Sequence, residues 1–150
     1  MRPSQSVRLY TIGYQGRSLE EVIGVLQQTR IDTVIDVRAI PVSRRAMFSK
    51  AILSKVLSSK GIRYMSVPDL GAAKRLRESY GNGDFADFAR EYGRAVLVSR
   101  HDKVLQLAQI VLSRQACLLC YEARPENCHR SLLSAAVAKC IGGDADVIHL

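Results

Sequence analysis

The chain has 150 residues, 47% of them hydrophobic, which suits one globular domain over residues 1–150 with a core of its own. The longest apolar runs are far too short to cross a bilayer, and the N-terminus has no apolar signal segment, so we expect a cytoplasmic protein with no membrane partner. With 22 Lys and Arg against 14 Asp and Glu, the net charge is +8, which favours an anionic ligand, from free phosphate to nucleic acid.

Short β-branched runs alternate with helical patterns along the chain, which predicts parallel β-α-β units. The predicted strands lie at residues 7–13, 31–38, 62–67, 116–122 and 146–150. The predicted helices lie at residues 19–30, 50–59, 84–98, 101–112 and 126–140, and a polar surface loop or lid lies at 68–83. The fold class is therefore α/β, a single compact domain with an open, mostly parallel sheet of about five strands and helices on both faces.

The segments that follow the strands carry most of the candidate chemistry. Ligands of open parallel sheets bind beyond the carboxyl ends of the strands. The turns after the first, second and fourth strands lie at residues 11–18, 36–45 and 122–130. If the strands are parallel, these three turns meet at one edge of the sheet and bring arginines, acids, glycines, a cysteine and a histidine together.

The first turn contains two glycines. Gly13 and Gly16 would let backbone amides approach an oxyanion, next to the positive end of the helix that Ser18 opens. The stretch is neither a dinucleotide fingerprint nor a P-loop. A tight turn with a helix cap accounts for the same residues and is slightly favoured.

The second turn is rich in arginine, whose planar fork suits phosphate and carboxylate groups. Asp36 ends a very apolar strand and therefore needs a partner, for which Arg38 is the obvious choice. Arg38, Arg44 and Arg45 are predicted to form a basic clamp for an anion, on a turn stiffened by Pro41, with Ser43 as a further candidate ligand-binding residue. The alternative is a structural Asp–Arg pair with solvated arginines around it.

The third turn ends in Cys128, His129 and Arg130, at the predicted start of a helix. A thiol in a first helical turn near arginine has a lowered pKa, which makes Cys128 a candidate nucleophile. Successive residues of a helix point about 100° apart, so His129 need not contact Cys128. Glu122 is a candidate general acid or base, and Arg130 a candidate anion ligand. Packing of Cys128 as a small apolar residue, with local hydrogen bonds from Glu122 and His129, is an equally good interpretation.

Cys117 and Cys120, followed by Cys128 and His129, have the residue types of a zinc site. Three residues apart on a strand, the side chains of Cys117 and Cys120 face opposite sides of the sheet and cannot share one ion. The sequence therefore predicts no metal site and no cofactor.

Four stretches, in this order, resemble the domain of unknown function 488 (DUF488) family. They are TIGYQGRSLEE, DVRAIPVSRR with a following Phe, GIRYMSVPDLG and CLLCYEARPENCHR, and they span nearly the whole chain. The resemblance implies a compact α/β fold and implies no activity. The motif positions it carries over are Gly13, Asp36, Arg38, Pro41, Ser43, Arg44, Glu122, Cys128, His129 and Arg130.

Three functions follow from these features. The first is a protein for a small anionic, phosphate- or nucleotide-like ligand, in which Arg38 and Arg44 bind the anion; as an enzyme it would use Cys128 or Glu122. The second is a nucleic-acid-binding protein that uses the basic stretch 74–77. The third is a non-catalytic module that binds a partner protein. The first is favoured over the second by a thin margin, and neither enzymatic activity nor an oligomeric state is predicted.

Overall fold

The structure is a computed structural model that describes residues 6–41, 43–79, 83–142 and 145–150. These residues form five strands and six α-helices. The strands are β1 (Val7–Gly13), β2 (Thr33–Asp36), β3 (Arg63–Ser66), β4 (Ala116–Cys120) and β5 (Ala145–His149). The helices are α1 (Leu19–Gln28), α2 (Lys50–Ser59), α3 (Lys74–Ser79), α4 (Phe85–Tyr92), α5 (His101–Ser113) and α6 (His129–Ile141). None of the helices in the described ranges is long and apolar enough to cross a membrane.

All five strands run parallel in one sheet, in the order β3-β2-β4-β1-β5. The parallel α/β architecture predicted from the alternating pattern is thereby confirmed. β4 lies in the centre: its Cys120 pairs with Gly13 of β1, and its Ala116 pairs with Thr33 of β2. The carboxyl ends of β1, β2 and β4 are therefore neighbours.

Each face of the sheet carries its own apolar cluster, because side chains alternate between the faces along a strand. Helices α1 and α2 pack on one face, against Ile12, Val34 and Leu119. Helices α4, α5 and α6 pack on the other face, against Ile35 and Leu118. Helices thus cover both faces, as predicted, and this double burial explains the continuous apolar runs of the central strands.

The polar stretch 68–83 is more structured than the predicted surface loop. A 3₁₀ turn at Pro68–Leu70 buries Leu70 completely, and the carbonyl of Leu70 accepts a 2.6 Å hydrogen bond from the Tyr92 hydroxyl. Helix α3 follows, with an ion pair of 3.6 Å between Lys74 and Glu78. The loop prediction failed because a polar composition concealed two apolar anchors, Leu70 and Ala72. Residues 80–82 lie outside the described residues.

The element ends beside the third turn differ from the prediction. β4 ends at Cys120, so Glu122 already lies in the turn. A 3₁₀ turn at Pro125–Asn127 precedes α6, which begins at His129 rather than at residue 126. Cys128 is the N-cap of α6 and has extended backbone angles, φ −130° and ψ 141°. The helix predicted at 84–98 is α4, which continues into a π-helical segment at Gly93–Val98.

Candidate functional site

A cleft of about 700 Å³ opens beyond the carboxyl ends of β1, β2 and β4. The three turns that the sequence analysis expected at one edge all contribute to its walls, because their strands are adjacent and parallel. A fourth wall comes from the segment after β3. The lining residues are Tyr14 from the first turn; Arg38, Ala39, Ile40, Ser43, Arg44 and Arg45 from the second; Cys120, Tyr121, Glu122 and His129 from the third; and Ala72 and Arg77. Pockets of this volume hold small ligands.

Asp36 and Arg38 form a buried bidentate ion pair at the end of β2. Arg38 donates from Nε to Oδ1 of Asp36 at 2.9 Å and from one terminal nitrogen to Oδ2 at 2.6 Å. Its other terminal nitrogen donates to the Tyr14 hydroxyl at 3.1 Å and to the Phe48 carbonyl at 2.7 Å. The Tyr64 hydroxyl donates to Oδ2 of Asp36 at 2.5 Å. Four guanidinium hydrogen bonds are thus made within the protein, as in the structural-pair alternative, although Arg38 also lines the cleft.

The raised pKa of Arg38 keeps this side chain ionised, so Arg38 is a structural brace, by which we mean a buried arginine whose hydrogen bonds join parts of the fold. Burial by itself would lower the pKa of Arg38, but the hydrogen bond and the negative charge of Asp36 outweigh it, and the pKa of Arg38 rises above its ordinary value. Burial and the hydrogen bond to Asp36 raise the pKa of Tyr64. Arg38 therefore stays charged and Tyr64 stays protonated at any physiological pH.

The exposed arginines of the cleft differ from Arg38 in having unused donors. Arg45 donates to the backbone carbonyls of Tyr14 and Arg17 and lies over the Phe48 ring at 4.6 Å. Within the described parts of the chain, the side chains of Arg44 and Arg77 have neither a hydrogen-bond nor an ion-pair partner. Ser43, grouped with the predicted clamp, accepts a 3.1 Å hydrogen bond from the Arg45 backbone amide. The cations left for a ligand are therefore Arg44, which the sequence analysis placed in the anion clamp, and Arg77, which it assigned to a nucleic-acid surface.

The first turn uses its backbone amides internally. Tyr14 and Gln15 donate their N–H groups to the carbonyls of Cys120 and Tyr121, at 3.2 and 2.9 Å. A Cβ atom on Gly13 would lie 1.7 Å from the Glu122 carbonyl oxygen, so glycine is required there for close approach of the chain after β4. Gly16 has φ +75°, a left-handed turn conformation that glycine adopts without strain. The structure thus favours the tight-turn interpretation of these glycines over the oxyanion site.

Arg130 is a second internal brace. It is fully buried, and its Nε donates to the Thr11 hydroxyl at 3.2 Å. Its terminal nitrogens donate to the backbone carbonyls of Glu122 and Ala123. Arg130 therefore ties the turn after β4 to β1, and it is absent from the walls of the cleft.

Cys120, Cys128 and His129 form a buried cluster at the floor of the cleft, which we call the thiol–imidazole cluster. His129 Nδ1 lies 3.8 Å from Cys120 Sγ and 3.9 Å from Cys128 Sγ. The expectation that His129 need not contact Cys128 is corrected, because Cys128 is an extended N-cap and the 100° helical rotation does not apply to it. Cys128 Sγ accepts a hydrogen bond from the Arg130 backbone amide at 3.5 Å. Cys128 itself is 1% exposed, and Cys120 is the sulfur that lines the cleft.

The ionisable groups of the cluster influence one another. A hydrogen bond from the Cys120 thiol, followed by the contact with His129, lowers the pKa of Cys128 against the effect of burial. The same hydrogen bond, together with burial, raises the pKa of Cys120. Burial and the charge of Cys128 raise the pKa of Glu122, whose Oε2 accepts from Cys120 Sγ at 3.4 Å. Of the two sulfurs, Cys128 therefore has the lowered pKa and Cys120 the raised pKa.

Cys117 belongs to the opposite face of the sheet. It packs in the cluster under α1 and α2, whereas Cys120 packs in the cluster under α4 to α6. The expectation that these two sulfurs face opposite sides is confirmed, because side chains three apart on a strand alternate.

Sequence comparison now places the chain among known proteins. It matches the family described as "Domain of unknown function DUF488" over residues 18–137, which include β2, β3, β4 and the second and third turns. The chain belongs to the DUF488 family. No curated protein and no solved structure matches it. Membership confirms the resemblance read from the four motifs, and the family's description assigns no activity.

Two features of this DUF488 site were missed in the sequence. Tyr14 stacks on Phe48 with ring centroids 4.2 Å apart and hydrogen-bonds Arg38, so it joins the first two turns. Cys120 joins Cys128 and His129 in one cluster, whereas the sequence analysis named Cys120 only in a metal site that also required Cys117, and not among its candidate site residues. A signal for Cys120 existed, because Cys120 and Glu122 are two residues apart at a strand end and therefore point the same way.

Proposed function

We propose that the DUF488 cleft binds a small molecule with a phosphate or similar anionic group, of about nucleotide size. The observation that carries the proposal is the pair of exposed arginines, Arg44 and Arg77, which line the cleft from different elements. In the described chain neither has a partner. A guanidinium binds phosphate oxygens through two parallel hydrogen bonds, so two of them facing one cleft suit a phosphate ester.

The charge balance of the walls supports an anion. Four arginines and one carboxylic acid line the cleft. Arg38 is neutralised by Asp36, which leaves Arg44, Arg45 and Arg77 against Glu122. Burial raises the pKa of Glu122, so Glu122 repels an anionic ligand less than an ordinary carboxylate would. A concave site with this excess of one sign focuses its field on ligands of the opposite charge.

The apolar part of the walls suits the rest of a nucleotide. Ile40 and Tyr121 line the mouth of the cleft with 57% and 46% of their surfaces exposed. Exposed apolar and aromatic side chains beside charged ones are typical of sites that hold a ring next to a phosphate. A small ligand also suits a concave site better than a nucleic-acid strand does, because the described aromatic surface offers little for successive bases.

Catalysis is a prediction that extends the binding proposal. A ligand held by Arg44 and Arg77 would meet Cys120, Glu122 and His129, which line the same cleft. Cys128, the sequence-based candidate nucleophile, lies behind them and would act on a ligand only through Cys120 or His129.

The binding proposal is tested by thermal unfolding of the protein against inorganic phosphate, pyrophosphate, nucleoside mono-, di- and triphosphates and single-stranded oligonucleotides. A ligand at a hundred times its Kd adds about 2.7 kcal/mol to the free energy of unfolding, a visible rise in Tm. We expect this rise with a phosphate-bearing small molecule. Arg44→Ala and Arg77→Ala should each weaken its binding roughly tenfold or more, since a charged hydrogen bond contributes about 1.5–3 kcal/mol.

Arg63→Ala is the matched control. Arg63 is an exposed arginine at the amino end of β3, so its substitution removes the same charge at a place outside the cleft. It should leave the Tm rise unchanged. If all three variants lost the Tm rise equally, the rise would be due to the net charge of the protein and not to the cleft. A rise with oligonucleotides alone would favour the nucleic-acid function, and no rise with any ligand would contradict both.

A further inference from the structure

The thiol–imidazole cluster has the donor atoms of a metal site. In the described ranges, the ligand atoms of Cys120, Cys128 and His129 all lie within 4.8 Å of one another. All three side chains are buried, with 1–5% of their surfaces exposed. Two thiolate sulfurs and an imidazole nitrogen are the ligands that Zn²⁺ prefers.

The spacing of the donors is close to that of a tetrahedral centre. With Zn–S of about 2.3 Å and Zn–N of about 2.05 Å, the tetrahedral angle separates sulfur from nitrogen by about 3.6 Å. The observed separations from His129 Nδ1 are 3.8 Å to Cys120 Sγ and 3.9 Å to Cys128 Sγ. The two sulfur–nitrogen separations therefore need to change by only a few tenths of an ångström to hold an ion, and the two sulfurs lie within 4.8 Å of each other.

The imidazole of His129 is already oriented as a ligand. Its Nε2 lies 2.9 Å from the Val37 carbonyl oxygen, which can only accept, so Nε2 carries the hydrogen. In the neutral ring the lone pair is then on Nδ1, which faces the two sulfurs. Metal-binding histidines almost always donate their other N–H to a carbonyl or carboxylate in this way. The Val37 carbonyl fixes this ring orientation independently of the sulfur positions, and the orientation also identifies Nδ1 of His129 as the atom that would bind the metal.

The surroundings stabilise thiolate ligands. Cys128 Sγ accepts the Arg130 backbone amide at the N-terminus of α6, where the helix dipole favours negative charge. Cys120 and His129 also line the cleft, so an ion can enter from solvent.

We propose that Cys120 Sγ, Cys128 Sγ and His129 Nδ1 bind one Zn²⁺ ion. The fourth position faces the cleft beside Glu122, where a water or the bound ligand completes the coordination. Three protein ligands with an open fourth position characterise catalytic rather than structural zinc sites. The sequence analysis predicted no metal because it required Cys117 and Cys120, which lie on opposite faces of the sheet, to share the ion with Cys128 and His129. The site proposed here uses Cys120 without Cys117.

The test is metal titration of the intact, reduced protein after removal of bound ions with a chelator. One Co²⁺ per chain should produce sulfur-to-cobalt charge-transfer absorption and the intense visible bands of a tetrahedral site. One Zn²⁺ should displace it and raise the Tm of the wild-type chain. Absence of charge-transfer absorption, or binding of far less than one ion per folded chain, would overturn the proposal.

Three serine variants locate the ion. Cys120→Ser and Cys128→Ser should each weaken Zn²⁺ binding by more than the roughly 10–100-fold that loss of an outer hydrogen-bond partner costs. Cys140→Ser is the matched control, because Cys140 is an exposed free cysteine of α6 and should bind Zn²⁺ like the wild type. Circular dichroism verifies folding, and the wild-type cobalt spectrum decides the question even if a buried variant unfolds. Equal weakening in Cys140→Ser would contradict the assignment.

The metal proposal stands apart from the anion proposal. Arg44→Ala removes a cleft cation and none of the three ligands, so it should leave the cobalt spectrum unchanged while it weakens anion binding. Cys140→Ser should preserve both properties. Failure of one proposal is thereby visible without failure of the other.

Discussion

Asp36 and Arg38 pair at 2.6 Å with side chains only 0% and 6% exposed, so each neutralises a charge that the core cannot tolerate alone. Asp36→Asn keeps the shape and leaves the Arg38 charge unpaired. We expect it to reduce the free energy of unfolding by about 3–5 kcal/mol, the usual cost of removing one partner of a buried ion pair. Urea unfolding measures this loss.

The control for Asp36→Asn is an exposed pair of the same two residue types. Arg90 and Asp87 lie 3.3 Å apart with side chains 78% and 50% exposed. Asp87→Asn should cost less than about 1 kcal/mol, because solvent already screens this pair. If the two variants lost equal stability, the brace at the end of β2 would be no stronger than a surface contact.

Tyr92 links stability to pH. Burial raises the pKa of its hydroxyl above the ordinary value near 10, and the hydroxyl donates to the Leu70 carbonyl. Since the folded-state pKa is the higher one, the stabilisation is complete below about pH 10 and is lost as pH rises, because the unfolded chain then releases a proton that the folded chain keeps. At pH 11 this loss is about 1.4 kcal/mol.

Tyr92→Phe isolates that effect. At pH 7 the variant should be less stable than the wild type by about 1 kcal/mol, the net worth of a hydrogen bond. At pH 11 the difference should close or reverse, because phenylalanine has no proton to release. Unfolding in urea at the two pH values measures it, and an unchanged difference would contradict the raised pKa of Tyr92.

At the scale of elements, the contact between β1 and the turn after β4 depends on Gly13. A Cβ there would meet the Glu122 carbonyl at 1.7 Å, and this atom is backbone that cannot rotate away. Gly13→Ala should therefore cost about 3 kcal/mol, at the upper end for overpacking, and should displace Glu122 from the cleft. Thermal unfolding measures the cost.

Gly24→Ala provides the comparison for Gly13→Ala. Gly24 lies within α1, and a Cβ at that position meets no atom within 4 Å. Alanine should stabilise the helix there by about 0.5–1 kcal/mol. Destabilisation of similar size in both variants would mean that the close approach to Glu122 is not what requires glycine at position 13.

Elements with a strong local signal were predictable from the sequence. Ser18 accepts from the Glu21 amide as the capping-box pattern predicts, and the apolar runs of β1 and β4 are buried strands. The start of α6 was misjudged because Pro125, Glu126 and Asn127 favour a helical turn of either kind. They form a 3₁₀ turn that is separate from α6. Cys128 is therefore an extended N-cap, and its sulfur lies close to the His129 ring.

At the scale of the whole molecule, the convergence of three turns was predictable because parallel strands share their carboxyl edge. The partners of individual side chains were not, since they depend on the strand order. The central position of β4 brings Cys120 to the floor of the cleft, and the packing of α3 brings in Arg77, which a sequence pattern assigns only to a basic surface. Arg38 and Arg130 illustrate the same limit. The sequence made both candidates for anion binding, but both are buried and hydrogen-bonded within the protein, so they act as braces.

The net charge of +8 attracts anions to any part of the surface, so location in the cleft is the central claim. The most direct measurement is calorimetric titration of a nucleoside diphosphate into the wild type, the Arg44→Ala/Arg77→Ala double variant and the Arg63→Ala variant at one salt concentration. We predict one site per chain, lost in the double variant and unchanged in Arg63→Ala. Equal affinity in all three proteins would contradict the claim that this cleft is an anion-binding site.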